Sequence, residues 1–262
     1  MQKSKDFKYI GQRPLRPDGI EKVTGKALYG ADINLPGSIY GKILRSPYAH
    51  ANILSIDTDA AKDLPGVYAV LTSKDLIKKH TEMYKDLEGT LTSLKYLSNN
   101  VLAEEKVLYV GHAVAAVAAT SPHIALEALS LIKVEYEVLN PVTDVKSSMD
   151  ELAPILLETL ITVSPRPEKF KSTNIVGHCE FSRGDVQLGF NQADVVVETE
   201  YKTNTVHQGY IEPQSATALW SEDDSKLKIW CSNQGHFSVR NEVSALLDIP
   251  VSTIKVIPME IG

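Results

Sequence analysis

Cysteine is scarce in this sequence. Its 262 residues include only Cys179 and Cys231, which lie far apart and outside any Cys-x-x-Cys spacing. Zinc sites and iron–sulfur clusters are held by several closely spaced thiolates or imidazoles, so neither centre is predicted within this chain. The simplest expectation is that both cysteines are buried free thiols.

Long apolar runs and a basic surplus are also missing. No stretch reaches the roughly 18 apolar residues of a membrane-spanning helix, and residues 1–8 are charged, without the apolar segment of a signal peptide. The formal net charge is −6, whereas binding to nucleic-acid phosphates needs a basic face. We therefore expect a cytoplasmic protein with no membrane span and no nucleic acid partner.

What the sequence does contain is typical of a globular protein. Hydrophobic residues make up 43% of the chain and charged residues 23%. A chain of this length and composition can bury a substantial core, and its length allows one or two domains.

The first half has the pattern of a mixed α/β domain. Short apolar runs bounded by turn residues predict strands at 39–44, 51–56, 67–71, 106–109, 113–119 and 134–138. A helix is predicted after Ser121, because a hydroxyl N-cap followed by Pro122 at the first helical position is a strong start signal. Four apolar residues then share one face of that helix, which predicts that it packs on the sheet: Ala125, Ala128, Leu129 and Ile132.

Regular patterning weakens between about residues 140 and 173. Prolines stand among Ser, Asp and Glu there, without sustained alternation. A segment of this length without regular structure is unusual inside one compact domain and favours a linker. We expect one domain at 1–160, which includes an N-terminal arm and the linker, and the first part of a second domain at 161–262.

The second part is rich in β-type patterns. Residues 193–205 alternate as a strand does, and 215–220 with 226–231 flank a turn, as in a hairpin. A helical pattern from about residue 236 and a strand at 253–257 complete a predicted β-α-β unit. Ligands collect beyond the carboxyl ends of strands in such units, and Gln234 and Gly262 both lie at such ends.

One stretch breaks the alternation with polar groups that are able to touch a cofactor. It is VHQGYIEP at 206–213. Together with GDV at 184–186 and SNQGH at 232–236, it resembles the molybdenum-binding large subunit of the xanthine dehydrogenase and aldehyde oxidase family. Three N-terminal motifs extend the resemblance: RPDGIEKVTG at 16–25, RSPYAHA at 45–51 and VGHAVA at 110–115.

The resemblance implies the fold and the cofactor. The fold class would be α+β or mixed α/β, an N-terminal α/β-hammerhead domain followed by the beginning of the molybdopterin-binding domain. The cofactor would be molybdenum held by molybdopterin, with iron–sulfur clusters and FAD on partner subunits. The implied partners are the C-terminal half of the molybdenum subunit, an iron–sulfur subunit, an FAD subunit and a small-molecule substrate.

The resemblance also implies site residues. The family's glycine-rich pterin loop and catalytic glutamate follow the position of Gly262, so neither a catalytic residue nor a direct metal ligand is expected in this chain. The residues expected to contact the cofactor are Gln208, Gln234, Gly235 and Gly262. His207 and Glu212 are expected to contact the substrate or to support the site.

Each candidate also has a purely structural explanation. Gln208 carries an amide that can both donate and accept near a metal oxo group or the pterin, but the segment can equally be an irregular strand. His207 can be a satisfied core histidine, and Glu212 can orient its loop. Gln234 with Gly235 precedes a helix N-terminus that would favour a cofactor phosphate, and can equally be an ordinary strand-to-helix turn.

Three functions remain open at this point. The chain can be part of a molybdenum hydroxylase that is inactive alone and oxidises an aromatic, N-heterocyclic or aldehyde substrate, or reduces one, as in the 4-hydroxybenzoyl-CoA reductase branch. It can be a truncated, non-catalytic remnant. It can also be an unrelated α/β binding module.

Overall fold

The structure is a computed structural model that describes residues 8–76, 83–85, 91–160, 162–165, 173–223 and 225–262. The chain forms two compact units. The C-terminal unit consists of Gly209–Gly262 with the described parts of Met1–Ser38 and Met83–Thr92, and the central unit consists of the described parts of Ile39–Glu82 and Ser93–Gln208. The domain boundary at residue 160 stays a prediction.

The central unit is built on two three-stranded sheets. The strands are β1 (Tyr40–Arg45), β2 (Ala51–Asp57), β3 (Val67–Thr72), β6 (Lys106–Val107), β7 (Ala113–Ala119) and β8 (Lys133–Val138). The first sheet has the antiparallel order β1-β7-β3, and the second has the antiparallel order β6-β2-β8. All six strands were predicted at nearly these bounds, although β6 is two residues shorter.

Helix α4 (Pro122–Leu131) covers the first sheet as its sequence predicts. The Ser121 hydroxyl caps it by accepting a hydrogen bond from the Ile124 N–H at 3.2 Å. Ala125 and Ala128 are fully buried in a core that includes Ala115, Val117 and Ala119 of β7. Small side chains on both surfaces let the helix approach the sheet closely, so burial of this alanine-rich face stabilises the unit.

The remaining elements are short. The helices are α1 (Gly19–Thr24), α2 (Asp59–Lys62), α3 (Leu94–Val101), α5 (Val145–Ser148) and α6 (Val186–Gln192), and β4 (Met83–Lys85) pairs with β5 (Leu91–Ser93). None of the helices in the described part of the chain is long and apolar enough to cross a membrane.

The C-terminal unit contains the predicted hairpin and β-α-β arrangement. Strand β9 (Ala216–Trp220) pairs antiparallel with β10 (Leu227–Cys231), and β10 pairs in parallel with β11 (Ile254–Pro258). Helix α7 (His236–Leu247) connects β10 to β11. Leu227, Ile229 and Ile254 form the core of this unit.

The N-terminal segment adds a further pairing to this sheet, which the sequence patterns did not predict. Tyr29 forms a parallel bridge with Glu260, whose N–H donates to the Leu28 carbonyl at 3.1 Å. Residues 28 and 29 thus pair with the backbone just beyond β11, next to Gly262.

Two expectations from the sequence are wrong. Residues 193–205 do not form a strand, because no described segment pairs with them. Cys179 is exposed and Cys231 is half-buried, so the pair are free thiols but not buried ones. Cys179 and the residues of the predicted strand lie in the same stretch, 179–211, which is exposed because no described segment covers it.

Candidate functional site

The parallel pairing of β10 with β11 brings the residues that follow both strands to one edge of the sheet. Ser232 follows β10, and Glu260 lies two residues beyond β11. The Ser232 hydroxyl lies 2.8 Å from the Glu260 carbonyl oxygen. This is the edge at which the sequence predicts a ligand site.

Glu212 reaches this edge from the VHQGYIEP segment. Its Oε1 accepts a hydrogen bond from the Ser232 hydroxyl at 2.5 Å, and its Oε2 accepts from the Gly262 N–H at 2.6 Å. These bonds, with smaller contributions from the Gly30 N–H and the Lys22 charge, hold the pKa of Glu212 below its usual value. The carboxylate is therefore ionised and joins two chain segments 50 residues apart.

Gly30 approaches the same place from the N-terminal segment. Its N–H donates to the Ser232 hydroxyl oxygen at 3.1 Å. A Cβ at position 30 would lie 2.8 Å from the Ser215 carbonyl oxygen and 3.3 Å from Ser232 Oγ. The close approach of the two backbones therefore requires glycine here.

Lys22 binds the same stretch from the other side. Its ammonium group lies 3.0 Å from Glu260 Oε2 and donates to the Ile261 carbonyl at 3.2 Å. The hydrogen bond to Glu260, together with the charge of that carboxylate, raises the pKa of Lys22, although desolvation opposes the shift. We call these residues the Glu212 cluster: Lys22, Gly30, Glu212, Ser232 and 260–262.

The start of α7 lies just beyond β10. Gly235 is its N-cap residue and supplies no side chain, so the first turn has no side-chain cap. Asn233 Oδ1 accepts from the Gly235 N–H at 3.0 Å and shapes the turn, while Gln234 is exposed. Such a helix start presents N–H groups that suit an anion.

Arg240 lies one turn into α7 and carries an unsatisfied group. Its Nε is buried with no hydrogen-bond acceptor among the described residues, and its guanidinium stands 5.2 Å from the centre of the Phe237 ring. Buried polar groups are nearly always paired, so this N–H fits an acceptor that the described residues do not supply.

The six predicted site residues fall in both units. Gln208 and His207 are exposed and belong to the central unit, whereas Glu212, Gln234, Gly235 and Gly262 belong to the C-terminal unit. A hydrogen bond brings Glu212 and Gly262 together. Gly209, with φ of 71°, adopts the left-handed backbone conformation directly after Gln208.

Sequence reasoning missed Ser232, Gly30 and Lys22. Ser232 had a usable signal, because it directly follows a predicted strand at the ligand-binding edge. Lys22 and Gly30 had none, because their partners lie about 200 residues away along the chain. Among the described residues, no group of three or more His, Cys, Asp or Glu side chains could hold a metal ion.

Two family profiles match the chain. The profile for the a/b hammerhead domain of aldehyde oxidase and xanthine dehydrogenase matches residues 24–140, and the profile for the molybdopterin cofactor-binding domain matches residues 168–262. The chain belongs to the aldehyde oxidase and xanthine dehydrogenase family. Its fold is accordingly an α/β-hammerhead domain followed by the beginning of a molybdopterin-binding domain.

Curated relatives match nearly all of this chain. It is 34% identical to a probable xanthine dehydrogenase subunit of Bacillus subtilis, over 95% of this chain and 30% of that protein. It is 31% identical to the nicotinate dehydrogenase large molybdopterin subunit of Eubacterium barkeri, over 98% of this chain and 55% of that protein. The chain thus spans about a third to a half of the length of these relatives.

Solved structures of the same family have the same fold. Quinoline 2-oxidoreductase from Pseudomonas putida 86 matches with a TM-score of 0.78 and 29% identity, over 96% of this chain and 30% of that one. Reconstituted CO dehydrogenase from Oligotropha carboxidovorans matches with a TM-score of 0.77 and 32% identity, over 96% and 31%. These neighbours are large, and this chain corresponds to a part of each.

Proposed function

We propose that this chain is the N-terminal part of the molybdenum-binding subunit of a hydroxylase-type oxidoreductase and supplies one side of its cofactor site. The observation that carries the proposal is the sheet edge where Gln234, Gly235 and Gly262 follow two parallel strands, within the residues matched by the molybdopterin-binding profile. Ligand sites gather at such edges in α/β sheets.

The chemistry of this edge fits molybdopterin. The pterin carries a phosphate, and the start of α7 offers N–H groups without a side-chain cap. The unsatisfied Nε of Arg240 is a further donor on the same helix. In this proposal Gln234 contacts the cofactor through its side-chain amide, Gly235 and Gly262 let the cofactor approach the backbone closely, and Gln208 contributes a fourth contact.

The roles of the chain's own residues follow from their chemistry. Amide side chains of Gln208 and Gln234 would orient the cofactor by donating and accepting hydrogen bonds. Glu212 is bonded to Ser232 and Gly262, so it would support the site rather than contact substrate. When bound, the molybdenum–pterin group supplies two-electron redox chemistry, and iron–sulfur clusters and FAD on partner subunits would carry the electrons away.

The substrate class we propose is an aromatic, N-heterocyclic or aldehyde compound. Similar proteins are named for xanthine, nicotinate and quinoline, which are N-heterocycles. Oxidation is the proposed direction, with reduction as in 4-hydroxybenzoyl-CoA reductase as the alternative. We propose that the assembly is cytoplasmic.

Residues 194–206 support the proposal that further protein covers this chain. Val195, Val197 and Tyr201 alternate on one face and are 78%, 83% and 87% exposed. The intervening positions include Glu200 and Lys202, which form ion pairs with Lys146 and Asp144. A segment with exposed apolar side chains at alternate positions, with which no described strand pairs, is suited to pairing with another strand. We propose that the remainder of the molybdenum subunit supplies it.

Replacement of Gln208 tests the proposed site. In the complete assembly, Gln208→Ala should remove one directed hydrogen bond, worth about 1 to 3 kcal/mol when its partner is left unsatisfied. Turnover per bound molybdenum should then fall roughly ten- to hundredfold if the bond forms mainly in the transition state. Equal turnover in wild type and Gln208→Ala would remove Gln208 from the site.

The neighbouring residue provides the matched control. His207 is exposed, so His207→Ala should change stability little, and turnover per bound molybdenum should stay close to the wild-type value if His207 does not contact the substrate. A larger loss of turnover from His207→Ala than from Gln208→Ala would reverse the two roles.

A further inference from the structure

The stretch from Glu260 to Gly262 forms hydrogen bonds with other segments of the chain. It lies beyond the end of β11, where pairing with the neighbouring strand β10 has stopped. Yet the Glu260 N–H donates to the Leu28 carbonyl, the Ile261 carbonyl accepts from Lys22, and the Gly262 N–H donates to Glu212. Three backbone groups within three residues thus have partners from two separate segments.

Glu212 is the residue on which these bonds converge. One carboxylate oxygen fixes Ser232 and the other fixes Gly262, at 2.5 and 2.6 Å. Charge-assisted hydrogen bonds are stronger than bonds between neutral groups. Because both oxygens belong to one carboxylate, Glu212 links the residue after β10 to the Gly262 backbone.

The segments also approach one another too closely for a side chain at Gly262 or Gly30. A Cβ at Gly262 would lie 2.7 Å from the Glu212 Cβ, and a Cβ at Gly30 would lie 2.8 Å from the Ser215 carbonyl oxygen. The cluster therefore combines close approach, possible only with glycine, with directed bonds.

We propose that Glu212 is a positioning residue. It fixes the backbone at Gly262 and thereby positions the part of the cofactor that would lie beside Gly262. Lys22 completes this role from the N-terminal segment by holding Glu260 and the Ile261 carbonyl. The inference rests on the proposed function, because that function places Gly262 beside molybdopterin.

Hydrogen–deuterium exchange tests the positioning itself in the full assembly. Glu212→Ala removes both acceptors, and Glu212→Gln keeps the size but loses the charge and one acceptor. We expect amide exchange at 259–262 to rise about tenfold or more in Glu212→Ala and by less in Glu212→Gln. Glu222→Gln, an exposed glutamate in the β9–β10 turn of the same unit, should leave this exchange unchanged.

Cofactor content separates positioning from a merely structural role. Pterin per folded subunit, measured by fluorescence at a temperature well below the unfolding midpoint, should fall severalfold in Glu212→Ala. It should stay at the wild-type level in Glu222→Gln. If Glu212→Ala does not fold, Lys22→Gln provides the second variant, since it removes the bond to Ile261 and leaves Glu212 in place.

The outcomes are distinct. Faster exchange at 259–262 together with pterin loss supports the proposal. Unchanged exchange, or faster exchange with full pterin content per folded subunit, overturns it. A wild-type assembly that holds no pterin defeats the proposed function instead, while the exchange data still decide whether Glu212 fixes Gly262.

Discussion

At the scale of single residues, the absence of a side chain at position 30 controls how closely the N-terminal segment approaches β9 and β10. Gly30 has no left-handed φ that would by itself demand glycine. Its constraint is contact, because a Cβ would meet the Ser215 carbonyl oxygen at 2.8 Å. A fixed backbone atom cannot yield as a flexible side chain does.

Gly30→Ala should therefore destabilise the protein. Overpacking against backbone typically costs about 1 to 3 kcal/mol, so the free energy of unfolding measured in urea should fall by about that amount. Gly41→Ala is the matched control, since nothing lies within 4 Å of a Cβ at Gly41. Equal stability of the two variants would show that the N-terminal segment does not hold this close contact in solution.

His112 shows how burial determines the role of a titratable residue. It is 1% exposed, its Nδ1 accepts from the Leu108 N–H at 3.2 Å, and its Nε2 lies 2.8 Å from the Asn99 carbonyl. These partners require the neutral Nε2–H tautomer. Desolvation lowers the pKa of His112, although the bond to Asn99 opposes this shift.

The lowered pKa predicts how stability depends on pH. Between the folded pKa and the unfolded value of about 6.5, the unfolded chain binds more protons, so the free energy of unfolding should fall as pH decreases through this window. His112→Gln can keep a donor and an acceptor without titrating, and should flatten that dependence. His123→Gln, at an exposed position, should leave it unchanged, and an equal flattening in both variants would contradict this account.

At the scale of elements, prediction succeeded where signals were local. Helix α4 carries a serine cap, a proline at its first position and apolar residues at helical spacing, and it forms as expected. The β10-α7-β11 unit likewise follows from strand and helix periods that are contiguous in sequence. Local patterns suffice when the element and its partner are neighbours in the chain.

Prediction failed where the partner is distant or lies outside the described residues. The alternation at 193–205 predicts a strand, but a strand needs a neighbour, and no described segment provides one. The sequence does not predict the pairing of Tyr29 with Glu260, because a contact between residues far apart in the chain leaves no periodic pattern. The sequence predicts both Glu212 and Gly262 as site residues. It does not predict the hydrogen bond between them, because they are 50 residues apart.

The exposed apolar face of residues 194–206 yields a prediction at this scale. Val197→Glu should change the free energy of unfolding of the isolated chain by less than about 0.5 kcal/mol, because the Val197 side chain is 83% exposed. The same change should strongly reduce co-purification with the remainder of the molybdenum subunit, since it would bury an unpaired charge. Val186→Glu, also at an exposed valine but in α6, is the control, and equal co-purification of both variants would argue against strand docking here.

At the scale of the whole molecule, the chain combines a hammerhead domain with the first part of a molybdopterin-binding domain. The cofactor contacts that we propose for it are Gln208, Gln234, Gly235 and Gly262. In the proposed function, this part of the subunit therefore offers only a few hydrogen-bonding groups to the cofactor. We expect the affinity for molybdopterin to depend on the rest of the subunit.

The most direct test is molybdenum and pterin content per polypeptide, measured on the chain purified alone and on the complete assembly. The account predicts no stoichiometric molybdenum in the isolated chain and about one molybdenum and one pterin per molybdenum subunit in the assembly, because cofactor contacts are shared between this part and the remainder. Stoichiometric metal in the isolated chain, or an intact assembly without pterin, would contradict it.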